Sequence, residues 1–115
     1  MAFTDRQLKT YEAQVAQYVE TKRPREEIRD QLDIAYRIEG QSVVIFEIRP
    51  RFQHPDQKVE EPVAKATYVA TRRRWRVFWM RADCKWHAYP PKPTVRSLAA
   101  FLRLVEDDPH CCFWG

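Results

Sequence analysis

Glycine and serine are both scarce in this chain, with two of each among its 115 residues. Phosphate-binding loops, dinucleotide-binding fingerprints and the nucleophile turn of serine hydrolases all need glycines at fixed spacings. Gly40 and Gly115 lie too far apart to form any of these motifs. Neither Ser42 nor Ser97 lies in a recognisable nucleophile motif. The scarcity of both residues therefore excludes several large enzyme classes.

Long apolar segments are also missing. Apolar runs such as residues 43–46 are far shorter than the roughly 18 residues that a membrane span requires. The N-terminus lacks the basic and apolar pattern of a signal peptide. Three cysteines, Cys84, Cys111 and Cys112, form an odd set with two adjacent members, which is a poor basis for disulfides. We therefore expect a cytoplasmic protein that does not associate with membranes.

Residues 1–115 are predicted to form one domain, because 44% hydrophobic and 31% charged residues are typical of a globular chain of this length. Near the N-terminus, apolar residues recur at steps of three and four, which predicts a helix with Thr4 or Asp5 as its N-cap. Pro24 interrupts this helix, and residues 24–32 could begin a second short one. The apolar face of the first helix consists of Leu8, Tyr11, Val15, Tyr18 and Val19, and that of the second would consist of Ile28 and Leu32.

After the helical region the spacing of apolar residues changes to two, which is the period of a half-buried strand. Residues 34–39 and 43–49 therefore predict two strands, joined by the turn Gly40-Gln41 into a β-hairpin. Residues 53–62 are polar and contain two prolines, which indicates a loop.

Two further strands are predicted at residues 63–71 and 75–82. The second of them is apolar on both faces, which is typical of a central strand covered on both sides. Residues 85–89 would extend it beyond a bend near Asp83. Thr94 is the expected N-cap of a last amphipathic helix.

The predicted order of elements is α-(α)-β-β-β-β-α. We therefore predict an α+β fold in which an N-terminal helix, or helix pair, and a C-terminal helix pack mainly on one face of the sheet. The sheet is expected to be four-stranded and largely antiparallel.

Basic charge is concentrated in residues 63–96, which hold nine basic and one acidic side chain. Residues 1–62 hold ten basic and twelve acidic side chains, and residues 97–115 hold one and three. The formal net charge of +4 therefore hides a strongly basic segment between two weakly acidic ones.

Three tryptophans, Trp75, Trp79 and Trp86, are interleaved with this basic segment. Guanidinium and ammonium groups neutralise phosphates, and aromatic rings stack on bases, so the segment predicts an RNA or DNA interface. In the alternative interpretation the arginines only solvate the sheet, and at least two of the tryptophans pack under the helices. The predicted nucleic-acid-binding residues are Arg72, Arg73, Arg74, Arg76, Arg81 and Lys85.

The last helix ends in acidic residues, which place negative charge at its negative pole. We expect a compensating partner, with Glu106 or Asp108 paired to Arg76 or Arg81. Such pairing would make part of the basic segment structural and would weaken the nucleic-acid hypothesis.

A zinc site is a weaker hypothesis. Cys84 and His87 have a two-residue spacer, and His110, Cys111 and Cys112 lie near the C-terminus, so four ligands could meet if the tail folds back. Adjacent cysteines rarely bind one ion together. The alternative is that Cys84 and one of the adjacent cysteines are small buried hydrophobic residues.

An RNA-cleaving enzyme is the second functional alternative. Glu47 and His87 could act as base and acid if they flank one phosphate-sized site, with arginines stabilising the phosphorane charge. In the structural alternative, Glu47 pairs across strands with an arginine, while Asp83 and His87 stabilise the bend.

The third alternative is a homodimeric or protein-interaction scaffold that uses the aromatic C-terminal tail, although burial of this tail is favoured. The sequence taken together predicts non-catalytic binding without cofactor or metal. Nucleic acid is the leading partner, and the assembly is a monomer or a homodimer.

Residues 74–89 read RWRVFWMRADCKWHAY. This block resembles a family of small bacterial proteins known only as a domain of unknown function, with the pattern W-x3-W-x-R-A-D-x-K-W-H-x-Y and a Cys-Phe-aromatic-Gly end. The resemblance spans nearly the whole chain and implies no activity. The family pattern has a nonspecific residue at Cys84 and glycine at Cys111, which counts against the zinc site. The matching residues are Trp75, Trp79, Arg81, Ala82, Asp83, Lys85, Trp86, His87, Tyr89, Cys112, Phe113, Trp114 and Gly115.

Overall fold

The computed structural model describes residues 3–114, which form two helices and six strands. None of the helices within these residues is both long enough and apolar enough to span a bilayer. The elements are α1 (Asp5–Lys22), one 3-10 turn (Glu26–Ile28), β1 (Asp33–Glu39), β2 (Ser42–Arg51), β3 (His54–Val69), β4 (Arg74–Met80), β5 (Trp86–Ala88), β6 (Thr94–Val95) and α2 (Leu98–Asp107).

Helix α1 begins with a capping box. The Thr4 hydroxyl accepts a hydrogen bond from the Gln7 amide at 3.2 Å, and the Gln7 side chain accepts one from the Thr4 amide at 3.0 Å. Val15 and Val19 are buried on the face towards the sheet. The predicted helix and its cap at Thr4 are confirmed.

The first hairpin has a two-residue turn, because Glu39 pairs with Ser42. Gly40 has φ +57° there, a conformation that residues with a Cβ adopt only at a cost. The resulting register pairs Tyr36 with Ile45 and Ile38 with Val43, which places these four residues on one face of the sheet. The predicted hairpin is confirmed.

All neighbouring strands are antiparallel, in the order β1-β2-β3-β4-β5, and β6 pairs with the beginning of β4. Helix α1 contacts β1, and α2 contacts β3, β4 and β6. The core residues that the strand register pairs share one face of the sheet, so both helices cover the same face. The predicted α+β class is confirmed, whereas the sheet has six strands and not four.

The predicted loop at residues 53–62 is wrong, because residues 54–62 form the first half of β3, which pairs with β2. Two prolines misled the interpretation. Pro55 and Pro62 lie in the part of β3 that has no partner on its other edge, since β4 pairs only with Ala64–Val69. A proline that lacks an amide hydrogen is tolerated at such an edge.

The optional second helix is also wrong, because the segment forms only the single 3-10 turn. Ile28 is 38% exposed, so the turn has no buried apolar face to stabilise it. The last helix is capped by Ser97 and not by Thr94, because Thr94 pairs with Arg76 as part of β6. Residues 86–88 form a separate strand, β5, that folds back onto β4.

Strand β4 is not covered on both sides as predicted. Trp75 and Val77 are buried under the helices, whereas Phe78 and Met80 point to the other face and are only half-buried. Because both helices lie on one side, the second apolar face of β4 remains accessible.

Replacing Tyr89 or Tyr18 by phenylalanine should change the stability of the protein in opposite directions. Tyr89 is fully buried, and its hydroxyl has no hydrogen-bond partner within residues 3–114, whereas the Tyr18 hydroxyl donates to Glu106 at 2.9 Å. An unpartnered buried hydroxyl is destabilising. We therefore expect Tyr89→Phe to raise the free energy of unfolding by about 1 kcal/mol, and Tyr18→Phe to lower it by a similar amount. Urea denaturation measures both changes, and a clear loss of stability in Tyr89→Phe would contradict the expectation.

The contact between α1 and β1 predicts that the protein loses stability as the pH falls. Arg23 donates to both carboxylate oxygens of Asp33, at 2.8 and 2.9 Å, and these bonds hold the pKa of Asp33 below its usual value. A pKa lowered by folding stabilises the protein above the unfolded-state pKa, near 4, and this contribution is lost as the pH falls through the folded-state pKa. Asp33→Asn should therefore lower the free energy of unfolding at pH 7 and flatten its decline between about pH 5 and 2. Parallel urea titrations over this range test it, and an unchanged slope would contradict the assignment.

Candidate nucleic-acid interface

The face of the sheet opposite the helices carries aromatic and basic side chains. The register places residues from five neighbouring strands on this side, and neither helix covers it. We call this surface the open face. It comprises Arg37, Val44, Phe46, Lys65, Arg76, Phe78, Met80 and Trp86.

Basic groups lie close to the aromatic rings of the open face. Lys65 Nζ is 5.4 Å from the ring centroid of Phe78 and 5.7 Å from that of Trp86. The Arg76 guanidinium carbon is 4.9 Å from the Phe78 centroid. Cations at such distances are attracted to ring faces by about 0.5–1 kcal/mol at exposed sites. Positive charge and half-buried aromatic surface therefore coincide on β3, β4 and β5.

The six residues predicted to bind nucleic acid are exposed. None of them lies within 4.0 Å of a carboxylate oxygen in the described part of the chain, whereas Arg23, Arg37 and Arg49 each pair with acidic residues. The carboxylates of residues 3–114 therefore do not neutralise these six residues. The nucleic-acid hypothesis requires basic side chains that do not pair with internal carboxylates, and the six residues meet this requirement in the described part of the chain.

The six residues lie at two ends of β4. Arg72 and Arg73 form the turn between β3 and β4, and Arg74 and Arg76 begin β4. At the other end, the Arg81 guanidinium lies 5.5 Å from the Trp79 ring centroid, and Lys85 follows in the turn before β5. Three members of the first group line a cavity of about 430 Å³, which we call the arginine cavity and which is formed by Val69, Arg72, Arg74, Arg76 and Thr94.

Backbone hydrogen bonds in the β3–β4 turn fix the positions of Arg72 and Arg73. The Arg72 amide donates to Val69 O at 3.1 Å, and the Arg73 amide donates to Ala70 O at 3.3 Å. Arg73 has φ +51°, in the left-handed region that favours glycine. The turn therefore carries a charged side chain at a position where glycine would cost less.

Two of the three tryptophans in the basic segment lie on the helix side of the sheet, as the structural alternative predicted. Trp75 is 2% exposed and packs against Phe3, Tyr11 and Tyr68, and Trp79 lies on the same face. Only Trp86 belongs to the open face. The sequence interpretation missed Phe78 and Lys65, although their alternation with the buried residues of β3 and β4 is the signal that could have revealed them.

Glu47 and His87 do not meet. Strands β2, β3, β4 and β5 are adjacent, so these residues are three strand spacings apart, about 14 Å. Glu47 instead accepts a hydrogen bond from Arg49 at 3.1 Å, along the same strand and not across strands. His87 lies 2.8 Å from Asp83, and this hydrogen bond lowers the pKa of Asp83. The geometry does not support the RNA-cleaving pair, whereas the expected hydrogen bonds at the bend are present.

The zinc ligands do not converge in the described part of the chain. No group of three or more metal-binding side chains occurs within residues 3–114. Cys84 and Cys111 are exposed, so the alternative of a buried Cys84 is wrong as well, and only Cys112 is half-buried against the core.

The expected pairing of the acidic helix end with Arg76 or Arg81 is wrong. Glu106 accepts from the Tyr18 hydroxyl at 2.9 Å and lies 3.2 Å from Lys22 Nζ, and the Tyr18 hydrogen bond lowers the pKa of Glu106. The charge at this helix end is therefore compensated by Tyr18 and Lys22 of α1. Arg76 and Arg81 do not pair with Glu106.

The C-terminal tail packs against the core, as favoured, with Phe113 buried and Cys112 and Trp114 half-buried. The Asp108 carboxylate accepts from the backbone amides of Phe113 and Trp114 at 3.1 and 2.9 Å. Phe113 is 7% exposed and stacks near Tyr89. The tail therefore completes the core, and Gly115 lies outside the described residues.

The strained backbone at Arg73 predicts that glycine at this position stabilises the protein. Because Arg73 has φ +51°, Arg73→Gly should raise the free energy of unfolding by about 1 kcal/mol. Arg72→Gly is the matched control, since it removes the same charge at a position without positive φ. It should lower stability by about 0.5–1 kcal/mol. Thermal and urea unfolding compare the two, and equal effects would argue against strain at Arg73.

Comparison with known proteins supplies a family and no activity. No curated protein and no solved structure matches the chain. The family model described as "Domain of unknown function (DUF3024)" matches residues 3–115, which confirms the resemblance seen in the sequence. Because the match covers nearly the whole chain, the protein belongs to the DUF3024 family of domains of unknown function.

Proposed function

We propose that this protein binds single-stranded nucleic acid, RNA or DNA, across the open face of its sheet. The observation that carries the proposal is the coincidence of accessible aromatic rings with basic side chains that have no carboxylate partner among residues 3–114. Phe78 and Trp86 supply the rings, and Lys65 and Arg76 lie beside them.

The chemistry favours a single strand. Bases in a duplex are stacked on one another and hidden, whereas unpaired bases are free to stack on aromatic side chains of a sheet. Phosphates between the bases attract the exposed guanidinium and ammonium groups and release their counterions on binding. In this proposal the rings of Phe78 and Trp86 hold bases, and the six basic residues at the ends of β4 hold the backbone. These six residues are Arg72, Arg73, Arg74, Arg76, Arg81 and Lys85.

The proposal is a binding function without catalysis or a cofactor, in a reducing cytoplasm. All three cysteines are free thiols, which suits such a compartment. The protein is proposed to act as a monomer or a homodimer.

Fluorescence anisotropy with a labelled single-stranded oligonucleotide tests this function. Affinity should fall steeply as salt is added, with a slope in log K against log salt of about −0.7 per neutralised phosphate. Phe78→Ala should weaken binding about tenfold, because stacking on one base is worth about 1–3 kcal/mol. Arg76→Ala should make the salt slope shallower by about 0.7.

Matched controls lie outside the open face. Phe52 is 87% exposed in the turn between β2 and β3, so Phe52→Ala removes the same ring without affecting binding. Arg6 lies on α1 and is exposed, so Arg6→Ala removes the same charge and leaves the salt slope unchanged. The proposal fails if no oligonucleotide binds at low salt, if affinity is independent of salt, or if Phe52→Ala and Phe78→Ala weaken binding equally. Circular dichroism verifies that each variant is folded.

A further inference from the structure

We infer that the arginine cavity is a receptor for a phosphomonoester dianion, which in the proposed function is the terminal phosphate of the bound strand. This inference rests on the proposed function and adds a specific ligand group to it. Its starting point is that three arginine side chains line one concavity of about 430 Å³.

Backbone pairing fixes the walls of the cavity. Arg74 pairs with Val69, and Arg76 pairs with Thr94, so β3, β4 and β6 each contribute one side. Arg74 and Arg76 point to the same side of β4, with their Cα atoms about 7 Å apart. Arg72 approaches from the turn. The side chains therefore gather at a location that the hydrogen-bond register of the sheet determines.

Electrostatics favours an anion at this location. Three guanidinium groups repel one another, and none of them has a carboxylate oxygen within 4.0 Å in the described part of the chain, although such partners neutralise Arg23, Arg37 and Arg49. Planar guanidinium groups donate paired hydrogen bonds to phosphate oxygens, and the Thr94 hydroxyl adds a further donor. A bound phosphate would relieve the repulsion and use these donors.

The charge and position of the cavity favour a terminal phosphate over a backbone phosphate. A phosphomonoester carries about −1.5 to −2 charges at pH 7, which suits three guanidinium groups better than the single charge of a diester. The cavity lies at the end of β4 beside the β3–β4 turn. A strand that enters it from the open face reaches the end of the sheet there, where a chain terminus fits.

The distance from the aromatic rings is suitable for one continuous ligand. Phe78 and Arg74 are four residues apart on β4, about 13 Å, and their side chains share one face. Arg76 lies between them and contacts the Phe78 ring. A strand stacked on Trp86 and Phe78 therefore runs along β4 towards the cavity.

The test compares oligonucleotides of one sequence that carry a 5′-phosphate, a 3′-phosphate or hydroxyl groups at both ends. We expect one phosphorylated form to bind at least tenfold more tightly than the hydroxyl form. Arg74→Ala and Arg72→Ala should reduce this preference to less than threefold. Arg81→Ala is the matched control at the other end of β4, and it should weaken all three oligonucleotides equally while it keeps the preference.

Further binding measurements distinguish a free phosphomonoester from the terminal phosphate of a strand. They also distinguish failure of the cavity proposal from failure of the proposed nucleic-acid function. A nucleoside monophosphate that binds as tightly as the phosphorylated oligonucleotide would support the cavity as a phosphomonoester receptor and overturn the nucleic-acid function. Equal affinity for all three oligonucleotides, with loss of binding in Phe78→Ala, would overturn the cavity and leave the proposed function intact. If neither the oligonucleotides nor the monophosphate bind, both proposals fail.

Discussion

Val15 and Val19 of α1 pack against the same face of the sheet as Phe101 and Val105 of α2, and this one-sided burial governs the rest of the molecule. The core forms between the helices and one face, which leaves the other face of β3, β4 and β5 accessible to solvent. Because successive strand residues point to opposite faces, each buried residue of β4 is followed by one on the open face. The accessible rings of the open face are therefore a direct consequence of where the helices pack.

Ion pairing divides the chain into two electrostatic regions. Several carboxylates of the N-terminal half pair with arginines of the same half, as in the contact between Arg23 and Asp33. The acidic end of α2 binds Tyr18 and Lys22 of α1. In the described part of the chain, by contrast, no carboxylate oxygen lies within 4.0 Å of the arginines of the β3–β4 turn. Arg73 even occupies a backbone conformation that favours glycine, and strain of this kind is frequent at binding sites.

Local patterns predicted the longer elements well. The spacing of apolar residues and the Thr4 cap identified α1, and Gly40-Gln41 identified the first hairpin, because these signals depend on nearby residues. The first half of β3 was missed since its prolines are tolerated only at an unpaired edge, which a neighbouring strand decides. Strands β5 and β6, with three and two residues, are too short to have a period of their own and exist because β4 offers them an edge.

The sequence by itself determined the α+β class, the family and the concentration of basic charge in residues 63–96, because composition and local periodicity are properties of neighbouring residues. Only the tertiary structure decided which of the aromatic residues are buried and which carboxylates find a cation. It placed Trp75 and Trp79 on the helix side, Phe78 and Trp86 on the open face, and Glu106 beside Lys22. Strand register and helix packing join residues far apart in the chain, and these long-range contacts alone select which side chains remain accessible on the open face.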